Sequence, residues 1–120
     1  MISKLDARIV TDITNLLREK LLWCSLLEYY PTEYNADVEI RTKTYSRQLV
    51  QWEGLGAGLL VNSNVLEFTG LEDPTMVMAV GLHAEQFSSS VNAWGALGKT
   101  MRATNNRLII PKRALAVRIG

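Results

Sequence analysis

Apolar and polar positions alternate with two different periods along this chain. Ile2, Leu5, Ile9, Ile13, Leu16, Leu17 and Leu21 recur at three- and four-residue steps, with Asp6, Arg8, Asp12, Asn15, Arg18 and Glu19 on the other side. That spacing predicts an amphipathic helix over residues 4–21, with Ser3 able to cap it and Asp6 complementing its dipole. Beyond Leu21 the polar stripe fades, and Leu21-Leu22-Trp23-Cys24 and Leu26-Leu27 are apolar nearly all round. Such a stretch must be covered on most sides. Either the helix ends near Trp23 and a buried strand begins, or it runs to about Leu27 and a partner chain covers it. The second is the expectation taken here, with Pro31 as the stop.

The period then changes to two. In Asp37 to Thr44, Val38, Ile40, Thr42 and Thr44 share one face, while Asp37, Glu39, Arg41 and Lys43 share the other. This predicts a half-exposed antiparallel strand. Arg47 to Trp52 reads equally as a second strand or a short turn. From Gly54 to Leu82 the chain is most apolar and least charged, and it should form the core sheet. Gly54, Gly56 and Gly58 would leave one strand face bare. Leu59-Leu60-Val61 and Val65-Leu66-Glu67-Phe68 flank Asn62-Ser63-Asn64 like the arms of a hairpin. Thr75 to Leu82 is apolar on both faces and should be a central strand.

Ala84, Phe87, Val91, Trp94 and Leu97 return to helical steps, predicting a second helix near residues 84–98 that Gly95 and Gly98 weaken. Short strands joined by turn residues complete the chain, around Met101 to Ala103, Leu108 to Ile110 and Ala114 to Ile119. The expected fold is a single α+β domain over residues 1–120. It has an N-terminal helix, an antiparallel sheet or sandwich of six to eight short strands, and a second helix before the last strands.

Composition narrows the class. The chain has 120 residues and is 48% apolar, enough for one core without metal or disulfide support. Cys24 is the only cysteine, and its apolar neighbours make it a small buried hydrophobe rather than a reactive thiol. No secretory signal pattern follows Met1, and no apolar run approaches the roughly 18 residues needed to span a bilayer. The expected setting is soluble and reducing, in the cytoplasm or within a virus particle.

Charge is distributed unevenly. Residues 1–85 carry all 12 acids and 7 of the bases, a balance of −5; residues 86–120 carry 6 bases and no acid, +6. This polarity has three readings. The basic strands line an acidic surface of the same domain. They meet an acidic surface of a neighbouring subunit, which would fix a head-to-tail register. Or Lys99, Arg102, Arg107, Lys112, Arg113 and Arg118 contact nucleic acid. The last is least favoured, because no aromatic follows Trp94 to stack on bases and no helix-turn-helix or zinc-ligand spacing is present.

Candidate chemistry is sparse. Gly54-Leu55-Gly56-Ala57-Gly58 is followed by a strand pattern, not a helix, and lacks the lysine of a phosphate loop. His83 and Glu85 could form a general-base pair beside Ser88, Ser89 and Ser90, although a helix start with solvated serines explains the same residues. One histidine and one cysteine do not make a zinc site. No catalytic residue, metal ligand or cofactor is assigned.

The sequence therefore points away from an enzyme. It points to a structural or adaptor subunit of a homo-oligomer or larger assembly, with Leu21, Leu22, Trp23, Leu26, Leu27, Tyr29, Tyr30 and Tyr34 as the interface. By analogy with small α+β subunits of virus and phage particles, a ring, connector or cement protein is the expected context. A nucleic-acid- or protein-binding module using the basic C-terminal strands is the first alternative. A small hydrolase or ligand-binding enzyme around His83 and Glu85 is the second.

Overall fold

A computed structural model describes residues 6–32, 38–42, 44–56, 58–72, 75–88 and 91–118, with backbone alone for 96–100. The chain opens with helix α1 (Ala7–Lys20), followed by nine strands: β1 (Trp23–Leu27), β2 (Gln48–Leu49), β3 (Trp52–Gly54), β4 (Leu59–Asn62), β5 (Leu66–Phe68), β6 (Met76–His83), β7 (Ala93–Arg102), β8 (Leu108–Ile110) and β9 (Ala116–Arg118). The described strands pair only antiparallel, in the orders β2-β1-β6-β7, β3-β4-β9 and β5-β8. The fold is mostly sheet with one described helix.

The helix starts one residue after Asp6, whose carboxylate accepts a hydrogen bond from Arg8 N at 2.8 Å. This is an N-cap; Ser3 lies outside the described residues. The helix stops at Lys20 rather than running to Leu27. The physical reason is the all-round apolar character of residues 21–27. As strand β1, residues 23–27 pair with β2 on one side and β6 on the other, and Cys24 through Leu27 are buried. A strand inside a sheet buries both faces within one small domain, which a helix of this composition could not do.

The expected second helix near residues 84–98 is not formed. Ala93–Arg102 is the ten-residue strand β7, paired along β6, and residues 84–87 are a run of bends. Phe87, which would lie on the apolar face of that helix, is 81% exposed. Glycines at 95 and 98 weaken a helix by about 1 kcal/mol each, while a strand at 93–102 gains backbone pairing along β6. The helical spacing of five apolar residues is a coincidence that the neighbouring strand overrides.

The core region holds a second correction. β6 is central, as its two apolar faces require. The expected hairpin around Asn62-Ser63-Asn64 does not exist: β4 pairs with β3 and β9, whereas β5 pairs with β8. Asn62, fully buried, explains the detour. Its amide donates to the carbonyls of Asn64 and Pro111 at 2.8 Å each, and its Oδ1 accepts from Leu115 N at 2.9 Å. The Asn64 side chain meanwhile accepts from Gln51 N and donates to Leu49 O. These side chains mimic backbone partners and hold three chain segments together instead of closing a two-residue turn. The three glycines of 54–58 likewise do not share one strand face: Gly54 ends β3, and the other two lie beyond it. Gly56 and Gly58 take φ of 80° and 76° in the turn joining β3 to β4, where Leu59 N donates to Gly56 O.

Among the residues expected to form a strand from Asp37 to Thr44, Val38 to Ile40 lie along β1. Leu27 and Glu39 bridge, and Val38 and Ile40 are buried while Arg41 is exposed. Asp37 and Lys43 lie outside the described residues. Of the expected closing strands, Leu108–Ile110 forms as β8 and Ala116–Arg118 as β9, whereas Met101 and Arg102 are the end of β7 rather than a separate strand; Asn105 and Asn106 take positive φ in the turn before β8. One core gathers Leu26, Leu60, Leu66, Phe68, Leu71 and Val77 from all three sheets.

Candidate functional site

Three arrangements bear on function: a buried Ser–His pair, a clamp around Arg47, and apolar surface left open at α1 and between β7 and β9.

The pair arises from the β1–β6 register, in which Trp23 faces His83 and Ser25 faces Gly81. Ser25 Oγ and His83 Nε2 lie 2.6 Å apart, and both residues have no exposed surface. Gly81 is what makes room, since a Cβ there would run into Ser25 Oγ and stand 3.0 Å from His83 Nε2. Residues 25 and 83 are 58 apart in sequence, and only strand pairing brings them together. The sequence suggests a surface position for His83 beside Glu85. Instead His83 is in the core, and Glu85 is exposed and offers its backbone carbonyl to Arg47. A hydrolytic serine must reach a substrate carbonyl, and this hydroxyl has no surface to meet one.

Arg47 is the most deeply buried charge among the described residues, at 7% exposure. Its Nη2 and Nε hold the Glu39 carboxylate at 2.8 and 3.1 Å. Its Nη1 donates to Glu85 O and Ser88 Oγ, and its Nη2 also donates to Ser88 O. Tyr45 OH donates to Glu39 at 2.8 Å and accepts from Leu26 N at 2.9 Å. A bidentate Arg–carboxylate pair of this kind fixes geometry in two dimensions. The network ties the 85–88 bends to the first sheet beside an open hollow of about 260 Å³ lined by Ile40, Thr42, Ser46 and Phe87 among others. Burial, and then the Glu39 charge, hold the Tyr45 phenol well above its ordinary range. The same two causes push the Cys24 thiol up to about 12. Cys24 is therefore the inert small hydrophobe expected of it.

The residues expected at an interface divide by location. Leu21, Leu26 and Leu27 are buried within the chain, and Leu22 and Trp23 are half-buried. The domain itself covers this segment. Tyr29 and Tyr30 are exposed, with Tyr30 stacked on Trp94 at 5.6 Å between ring centres. Tyr34 lies outside the described residues.

The basic residues also divide. Arg107 pairs with Glu67 at 3.1 Å and Arg113 with Glu53 at 2.9 Å, so part of the charge asymmetry is answered inside the domain. Arg102, Lys112 and Arg118 are exposed with no ion pair among the described residues. The Lys99 side chain lies outside the described part of the chain.

Exposed apolar surface is the feature that sequence reasoning places wrongly. α1 has no buried residue. Leu17 packs on the core, Arg18 reaches the Trp52 carbonyl at 3.5 Å, and Trp52 Nε1 donates to Leu21 O at 2.6 Å, so the last turn is anchored. Ile9 and Leu16 remain 48% and 53% exposed. The signal lies in the width of the apolar stripe, which is broader than one strand can cover.

Among the described residues, no group of three or more His, Cys, Asp or Glu could hold a metal ion. No described helix is long and apolar enough to cross a membrane. Comparison with known proteins finds no matching family model, no matching curated protein and no matching solved structure.

Proposed function

We propose that this chain is a non-enzymatic structural or adaptor subunit of a homo-oligomeric or larger assembly. The observation that carries the reading is α1. An isolated helix of 14 residues is marginal in water, and helices in proteins owe their stability to burying an apolar face. Here that face is half used: its last turn is anchored, and Ile9 and Leu16 stand in solvent. A second copy or a neighbouring subunit supplies the missing cover.

A ring, connector or cement protein of a virus or phage particle remains the favoured context by analogy, inside the particle or in the cytoplasm before assembly. Pairing of Arg107 and Arg113 with carboxylates leaves fewer charges for phosphate, so a nucleic-acid role is second.

Native mass by light scattering at low and high salt tests the proposal. A defined oligomer is the expected result. A monomer of 13.4 kDa at every concentration and salt would overturn it.

A further inference from the structure

The open ridge of α1 and an open groove elsewhere on the same chain are both apolar and carry opposite charges beside them. Helix geometry puts Ile9, Ile13 and Leu16 in one row. Val10, Leu17 and Leu21 lie further round, toward the domain, and are half-buried or buried. On the solvent side the row is bordered by Asp12 and Glu19, two turns apart and both exposed, and Lys20 closes its end.

The groove lies between β7 and β9, the outer strands of their two sheets. It is about 240 Å³, with the buried Val80 and Leu82 on its β6 side, Ala93 and Gly95 on the β7 side, and Leu115, Val117 and Arg118 on the β9 side. The volume suits one or two aliphatic side chains, and the apolar lining matches them. Arg118 supplies the positive charge that Asp12 or Glu19 would meet.

We propose that the Ile9–Ile13–Leu16 ridge of one copy seats in the β7–β9 groove of a second copy, with Asp12 or Glu19 against Arg118. This rests on the assembly reading above and specifies its contact. Ridge and groove are different surfaces, so the contact is head-to-tail: it leaves a free ridge and a free groove, and it generates a ring or a filament.

Two surface substitutions separate the halves. Leu16→Asp places a charge on the exposed ridge. Gly95→Trp fills the groove, and a Cβ at Gly95 meets nothing within 4 Å, so the fold has room for it. Each variant is checked for folding by circular dichroism and thermal unfolding, then sized by sedimentation. Each alone is expected to weaken self-association at least tenfold. Mixed in equal amounts, they retain one good ridge and one good groove between them, and a dimer of about 27 kDa (twice 13.4 kDa) is expected. If the wild type assembles but either folded variant assembles equally well, or if the mixture stays monomeric, the proposed contact is wrong while the assembly reading stands. A monomeric wild type removes both.

Discussion

Ser25 and His83 show how much one strand register decides. Their 2.6 Å contact exists because Gly81 leaves the opposing position empty. His83→Ala opens a cavity and strands a buried hydroxyl, and the expected loss of stability is about 3 kcal/mol by urea unfolding. A loss below about 1 kcal/mol would mean that the pair is not a structural element. Cys24 adds a pH dependence. Its thiol titrates near 9 when unfolded and is pushed up to about 12 in the fold. Between those values the folded chain holds a proton that the unfolded chain releases, so stability is intact below pH 9 and declines as pH rises toward 12. Tyr45, also held above its ordinary range, adds its own decline at higher pH, so Cys24→Ala should lessen the loss most clearly between pH 9 and 10, and equal slopes there would exclude the thiol as its source. Neither partner of the Ser–His pair can be recognised along the sequence, because Ser25 sits in an apolar run and His83 beside a more obvious carboxylate, Glu85.

At the scale of elements, the period-two and period-3.6 patterns identify α1, β6, the Val38–Ile40 segment and the closing strands. They fail where pairing or a side chain overrides the pattern. Residues 84–98 have helical spacing but face a long flank of β6 that needs a partner strand. Residues 62–64 have turn chemistry, yet the asparagine side chains serve distant segments. The basic C-terminal strands are legible as a charge block, but their answering carboxylates, Glu53 and Glu67, are not, since the partners lie 60 and 40 residues away. The Arg47 clamp is equally invisible, and it governs a whole segment. Arg47→Ala would leave the partly buried Glu39 carboxylate without its counter-charge and release the 85–88 bends, at an expected cost of about 3–5 kcal/mol. Phe87 is already 81% exposed, so limited chymotrypsin digestion under native conditions should cut after it several-fold faster in the variant. Unchanged digestion would show that the clamp does not hold the segment.

Across the whole molecule, strand order carries a consequence for synthesis. β1 pairs with β6, β5 with β8 and β4 with β9, so most of the sheet joins residues far apart in the chain. Folds dominated by such pairings form in milliseconds to seconds rather than microseconds. Leu60 waits for Val117, and Asn62 waits for the carbonyl of Pro111 and the amide of Leu115. While the chain is still emerging from the ribosome, the second sheet has β3 and β4 but not the strand that covers the other edge of β4. Until residues 116–118 are released, this apolar edge is open to any neighbouring nascent chain. On a crowded polysome, chaperone demand for this protein should therefore be set by the interval between the emergence of β4 and that of β9.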